Sequence, residues 1–280
     1  MDPGLRRDDT VFVGGMDVTG AALRRANLES LVEAQGATRA APPLLLSADP
    51  YFDLAGEEFG RRLLLTTDTT GAEYCLRPDF TLPIVASYIA DGVGEPAAFS
   101  YMGPIFRQRE GGPAEFDQAG IELLAQPDGD VALDQVLTFA RAALSIFGVA
   151  PDIRLGGVGL FEALLVQADM PDAWRPRIRN RFGHTEALAA RHKLMLGAPI
   201  RTIRRHLNGL GEARVTFDAG FSPRLDYYTG IVFEMTGPNG DVLASGGQYD
   251  RLLERLGATA PIAASGCSVW VDRLEAEVAQ

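Results

Sequence analysis

Two strand-forming segments separated by a strong turn signal do most to limit what this chain can fold into. Residues 99–107 and 116–124 are rich in aromatic and branched side chains, and Glu110-Gly111-Gly112-Pro113 lies between them. A connection that short joins antiparallel neighbours, because a parallel pair needs a crossover of roughly a dozen residues or more. Residues 227–235 and 242–244 repeat the arrangement around Pro238-Asn239-Gly240-Asp241, whose Asn-Gly step suits a tight hairpin. Residues 61–67 and 72–76 read as a third pair around Asp68-Thr69-Thr70-Gly71, and residues 44–46 and 215–217 as further short strands. Apolar spacing predicts helices over 19–35, Thr81–Ala90, 131–147, 159–210, 249–256 and 267–278. The plainest is 131–147, where Val131, Val136, Phe139, Ala143 and Ile146 mark one face and Gly148 supplies the stop. Hairpins with helices interspersed predict an α+β fold, an antiparallel sheet flanked by helices.

Composition narrows the classes of function. Of 280 residues 46% are hydrophobic, enough for a buried core. The formal charge of −11 weighs against a chain whose main task is gripping nucleic acid, since each phosphate contact needs a local cation. Cys75 and Cys267 form no CxxC pair and have no histidine nearby, so no metal site, disulfide framework or cofactor is expected. His184, His192 and His206 share no ligand spacing, and the arginines around them read as solvated helix surface. No apolar run approaches the ~20 residues of a membrane span. The first residues lack the apolar centre of a secretory signal, so a cytoplasmic protein is expected.

Within residues 116–124 alternate side chains share a face. Phe116, Gln118, Gly120, Glu122 and Leu124 lie on one side, and Asp117, Ala119, Ile121 and Leu123 on the other. Gln118 and Glu122 then flank a glycine, which leaves a hollow on the sheet edged by an amide and a carboxylate. Such a hollow suits a small ligand with an ammonium or imidazole; an ordinary solvent-exposed polar face gives the same pattern. Tyr227 and Tyr228 are expected to place one ring on each face of their strand, and Gly246-Gly247 to sit where a strand meets a helix.

Taken in order, these segments resemble the class II aminoacyl-tRNA synthetase core in its histidyl branch. Tyr101 to Arg107 with Glu115 to Gln118 resembles the second motif of that class, and residues 266–274 the third. Leu225-Asp226-Tyr227-Tyr228-Thr229-Gly230 and Gly246-Gly247-Gln248-Tyr249-Asp250 resemble the two histidine signatures. Residues 76–81 resemble the segment that meets the substrate's amino group. The resemblance implies a histidine-sized pocket lined by Asp79, Thr81, Gln118, Glu122, Tyr227 and Tyr228. Glu122 would face the imidazole there, and Gln118 and Asp79 the ammonium. It also implies that Arg107 and Arg273 are the remnant of a nucleotide site, with no catalytic residue left.

The departures from the enzymes carry as much. Arg109 stands where the second motif has glutamate, Pro223 where an arginine serves the adenylation chemistry, and Gln248 where the second signature has arginine. One such stabilising group is typically worth ~3–4 kcal/mol of barrier. The chain also ends soon after Arg273, where the synthetases continue into an anticodon-binding domain. Together with Ala48 to Glu57, these features are similar to the regulatory-subunit family of ATP phosphoribosyltransferase. That resemblance implies a non-catalytic partner of a short-form catalytic subunit, needed for its activity and for feedback inhibition by histidine in the first step of histidine biosynthesis. It further implies self-association as a dimer of the core and no tRNA binding. The expected organisation is a flexible tail over 1–15, a synthetase-like core over 16–158 and 214–280, and a reduced helical insertion over 159–213. Two alternatives stay open: an active amino-acid-adenylating ligase, and a scaffold whose pocket is vestigial.

Overall fold

The computed structural model describes residues 18–54, 57–92, 94–109, 112–158, 214–218, 221 and 227–279. In chain order its elements are α1 (Val18–Glu33), β1 (Thr38–Arg39), β2 (Leu45–Ser47), α2 (Asp49–Leu54), α3 (Glu57–Gly60), β3 (Leu65–Thr67), β4 (Glu73–Leu76), α4 (Thr81–Ala90), β5 (Ala97–Phe106), β6 (Glu115–Leu124), α5 (Gly129–Ile146), β7 (Asp152–Gly157), β8 (Arg214–Phe217), β9 (Ile231–Thr236), β10 (Val242–Gln248), α6 (Leu252–Arg255), β11 (Ala264–Trp270) and α7 (Val271–Val278). The expected tail over 1–15 and insertion over 159–213 lie outside the described residues, as do the three histidines and Pro223.

Eight strands form one sheet in the order β1-β5-β6-β11-β10-β9-β7-β8. The inner pairings are all antiparallel, as the hairpins predict. The two outer pairings, β1 with β5 and β7 with β8, are parallel. No turn signal joins either outer pair, so hairpin logic had nothing to read there. A second sheet, β2-β4-β3, is tied to the large one where Leu63 bridges Arg107 and Phe106 N–H donates to Arg77 O at 2.9 Å. This junction sets the segment from Arg77 to Thr81 beside β5.

One face of the large sheet carries a broad hydrophobic cluster, and smaller ones lie on the other, around Phe80, Tyr101 and Phe116 and around Tyr51, Leu124 and Tyr249. Ala119, Ile121 and Leu123 of β6 pack with Leu133, Val136, Leu137, Phe139 and Ala140 of α5 and with Leu28 and Val32 of α1. Each Leu, Phe or Ile fully buried there contributes roughly 1.5–3 kcal/mol. Helix α5 starts where the Asp128 side chain accepts from Asp130 N–H at 3.0 Å and Val131 N–H at 3.1 Å. Val131 itself is 48% exposed, so it does not belong to the apolar face assigned to it.

Several boundaries differ from the sequence reading, four of them with consequences for the sheet. Residues 267–278 are not one helix: Cys267 to Trp270 belong to β11, and only α7 is helical. The sheet needs that strand, because β11 is what joins β6 to β10. Gly246 and Gly247 lie inside β10, paired on both sides, rather than at a strand-to-helix junction. The helix expected over 249–256 shrinks to α6, and residues 61–64 precede β3 without joining it.

Candidate functional site

The other face of β6 carries the polar residues, and they are buried rather than solvated. Gln118 is 2% exposed and Glu122 1% exposed. The pleat supplies the direction, and the cross-strand neighbours supply the walls. Gly120 lies opposite Tyr101 on β5, Glu122 opposite Gly266 on β11, and Gln118 opposite Trp270 on β11. The hollow expected over Gly120 is filled from within the fold. A side chain at Gly120 would collide with the Tyr101 hydroxyl and with Cys267 O, so the glycine is there to admit Tyr101. Gly266 plays the same part for the Glu122 carboxyl.

Three hydroxyls converge on Glu122. Thr81 Oγ1 donates to Oε1 at 2.7 Å, the Tyr101 hydroxyl lies 3.3 Å from Oε1, and the Tyr249 hydroxyl donates to Oε2. Tyr101 is fixed in turn by Cys267 O and Ser268 Oγ, each at 3.0 Å. Burial pushes the Glu122 carboxyl up to about 8, against the pull of these donors, so near neutral pH it holds a proton.

Asp79 stands at the start of α4. Its Oδ1 accepts from the Tyr51 hydroxyl at 3.3 Å, while Oδ2 is buried without a hydrogen-bond partner among the described residues. Burial raises its carboxyl to about 6, opposed by the charge of Arg107. Gln118 has a different surrounding from the one expected. With its amide turned to satisfy its neighbours, its oxygen accepts from Arg107 Nη2 at 3.3 Å and Trp270 Nε1 at 3.2 Å. The acceptor an ammonium needs is therefore already in use.

Tyr227 and Tyr228 do not straddle a strand. They precede β9 in a turn whose Thr229 and Gly230 N–H groups both donate to Gln248 O, so strand alternation does not apply. Their rings pack together at 5.1 Å, and Tyr249 meets both edge-on at 5.9 and 6.4 Å. Gln248, which departs from the arginine of the synthetase signature, is a structural tie: its Oε1 accepts from Ile231 N–H at 2.9 Å and its Nε2 donates to Gly129 O at 3.4 Å.

Asp79, Thr81, Gln118, Glu122, Tyr227 and Tyr228 thus line one cavity, with Arg107 in its wall and Arg273 outside it. Tyr101, Tyr249 and Trp270 act on the site without having been singled out. The one signal for Tyr101 in the sequence is its place opposite Gly120 once the hairpin is closed. The cavity measures about 30 Å³, room for about one water. Among the described residues no cluster of ligating side chains fits a metal ion, and no helix is long and apolar enough to cross a membrane.

A sequence profile of the histidyl-tRNA synthetase family matches residues 12–190 and 183–274. The ATP phosphoribosyltransferase regulatory subunit of Mesorhizobium japonicum is 30% identical over 90% of this chain and 96% of its own length. That of Agrobacterium fabrum is 29% identical over 87% and 93%. Among solved structures, an ATP phosphoribosyltransferase regulatory subunit/histidyl-tRNA synthetase from Bacillus halodurans superposes with a TM-score of 0.75 at 23% identity, covering 93% of this chain and 79% of that one. The histidyl-tRNA synthetase of S. aureus superposes with a TM-score of 0.64 at 21% identity, covering 95% and 68%. The fold is that of the histidyl class II synthetases, and the chain belongs to the family of ATP phosphoribosyltransferase regulatory subunits.

Proposed function

We propose that this chain is the non-catalytic regulatory subunit of an ATP phosphoribosyltransferase, partnering a short-form catalytic subunit and carrying the histidine that inhibits it. The observation that carries the ligand half of this reading is the buried carboxyl pair in one cavity, with Asp79 Oδ2 lacking a partner. A free buried carboxylate oxygen is costly unless something pairs with it. The ammonium of an amino acid does so. Glu122, protonated near neutral pH, offers its hydrogen to an imidazole nitrogen. Arg107, beside Gln118, faces the ligand's carboxylate. Gln118, whose oxygen already accepts from Arg107 and Trp270, then leaves the ammonium to Asp79 alone.

The cavity as it stands is too small for histidine, so binding includes an outward shift of the Tyr227–Tyr228 turn. The partner half rests on the names of the relatives and on the departures at Arg109 and Gln248.

Two measurements test the proposal. Co-purification with a short-form catalytic subunit, followed by assay with and without this chain, is expected to show activation and histidine inhibition only when both are present. Calorimetric titration of the complex with histidine is expected to show binding that Glu122→Ala and Glu122→Gln weaken. Binding unchanged in both variants removes the pocket assignment. Histidine-dependent exchange of diphosphate into ATP replaces the regulatory reading with that of a ligase.

A further inference from the structure

The stretch Ala48 to Glu57 helped carry the family resemblance and has so far had no chemistry of its own. Within it α2 follows β2 directly, and it is fixed to β4 where Ala48 N–H donates to Glu73 O at 3.2 Å. Tyr51 of α2 is 2% exposed. Its ring stacks beside Phe59 of α3, with centres 6.2 Å apart and planes 15° from parallel, and packs in one cluster with Cys75, Leu82 and Val85. Phenylalanine would fill that space as well. What tyrosine adds is a hydroxyl, and a buried hydroxyl costs stability unless it is hydrogen-bonded. Among the described residues its partner is Asp79, whose Oδ1 lies 3.3 Å away.

Asp79 lines the cavity and Tyr51 does not. The hydroxyl therefore reaches the carboxyl from behind the wall. It engages one oxygen, and the other, Oδ2, is the one left without a partner. The last torsion of an aspartate is broad, so a carboxylate that nothing holds has no fixed direction. A hydrogen bond to the charged form also favours that form, here against the burial that raises the carboxyl to about 6. The hydroxyl keeps its own hydrogen, because burial and then the nearby Asp79 push it well above the usual range of a phenol. At 3.3 Å the contact is longer than the ~2.7–2.8 Å usual between two such oxygens, which leaves it room to tighten when Asp79 carries full charge. Asp79 is faced by Tyr51, Cys75 of β4, Tyr101 of β5, Arg107, Glu122 of β6, and Tyr227 and Tyr228 of the turn before β9. Arg107 is a cation, and burial keeps the other groups neutral below pH 7.

We propose that Tyr51 is a positioning residue of this pocket: its hydroxyl holds Asp79 Oδ1 from outside the cavity and so presents Oδ2 to the ammonium of a bound amino acid. This rests on the reading of the pocket as a histidine site. It adds a residue that never touches the ligand and acts on one of the ligand's three polar groups.

Titration calorimetry of the complex with histidine from pH 5 to 8 tests it. Tyr51→Phe keeps the ring and removes the hydroxyl, and Tyr51→Met is a second variant without a hydroxyl should the first fail to fold. Histidine is expected to bind Tyr51→Phe about threefold more weakly at pH 6.5, and its affinity to start falling on the acid side about half a pH unit higher than in the unaltered chain. Imidazolepropionate, which keeps the ring and carboxylate of histidine and lacks its amino group, is expected to bind both proteins alike. In the Asp79→Asn background Tyr51→Phe is expected to cost nothing further. A role in packing alone would weaken histidine and imidazolepropionate equally at every pH, and its cost would add to that of Asp79→Asn; either result overturns the proposal. Histidine affinity lowered by Asp79→Asn and unchanged by Tyr51→Phe overturns it too, and leaves the histidine reading standing. Histidine affinity indifferent to Asp79→Asn removes that reading of Asp79 and the role of Tyr51 with it.

Discussion

Tyr101 and Gly120 face each other across β5 and β6, and the tyrosine hydroxyl fills the space a side chain at Gly120 would need. The glycine is what lets that hydroxyl reach Glu122 Oε1, 3.3 Å away, from the neighbouring strand. Gly120→Ala therefore overpacks a site walled by backbone, since Cys267 O cannot move aside without disturbing β11. The expected loss is about 1–3 kcal/mol, read as a lower urea midpoint at unchanged slope. Tyr101→Phe keeps the ring, whose Cζ also borders Gly120, and removes only the hydroxyl, so its expected loss is smaller, about 1 kcal/mol. A Gly120→Ala protein as stable as the unaltered chain contradicts the close approach.

Glu122 makes stability depend on pH in a stated direction. Its carboxyl is raised from the 4.5 of an ordinary glutamate to about 8, chiefly by burial. Between those values the folded protein keeps a proton that the unfolded chain has released. This contribution is therefore fully present below the unfolded value and is lost as pH rises through the folded one. At pH 6 to 7 the slope is about 1.3 kcal/mol per pH unit, and it falls to about half that at pH 8. Glu122→Gln removes the titrating group, so between pH 7 and 8 urea midpoints are expected to fall for the unaltered chain and to stay nearly level in the variant, where Asp79, raised to about 6, leaves a slope only near pH 6. Parallel lines would place the proton elsewhere.

The hairpins, the face assignment of β6 and the helices α4 and α5 were legible because each rests on local chemistry: turn residues, a period of two, and a period of 3.6. Thr81–Ala90 matches the sequence reading at both ends for that reason. What local pattern misses is what the sheet imposes. Cys267 to Trp270 has the composition of either element and becomes a strand because β6 and β10 are both waiting for one. Tyr227 and Tyr228 look like strand residues, yet Gln248 captures the backbone that follows them and turns both rings to one side. Six of the residues that line the cavity were nameable in advance from the resemblance, whereas Tyr249 and Trp270 were not. Nor was the filling of its hollow by Tyr101, since that depends on the register between two strands.

Asp79 gives the histidine reading a pH signature of its own. Its carboxyl, raised by burial to about 6, must be ionised to attract the ammonium of a bound amino acid. As pH falls through 6 it takes up a proton and that attraction is lost. Asp79→Asn removes the charge at every pH while keeping the shape and one acceptor. Calorimetric titration of the complex with histidine at pH 5, 6, 7 and 8 separates the two. A charge-assisted hydrogen bond of about 1.5–3 kcal/mol corresponds to a loss of about tenfold or more in the variant above pH 7. The ligand's own imidazole titrates in both proteins alike, so the ratio of their affinities isolates Asp79. That ratio is expected to shrink toward one by pH 5. A ratio that stays constant from pH 5 to 8 means that the ammonium does not meet Asp79.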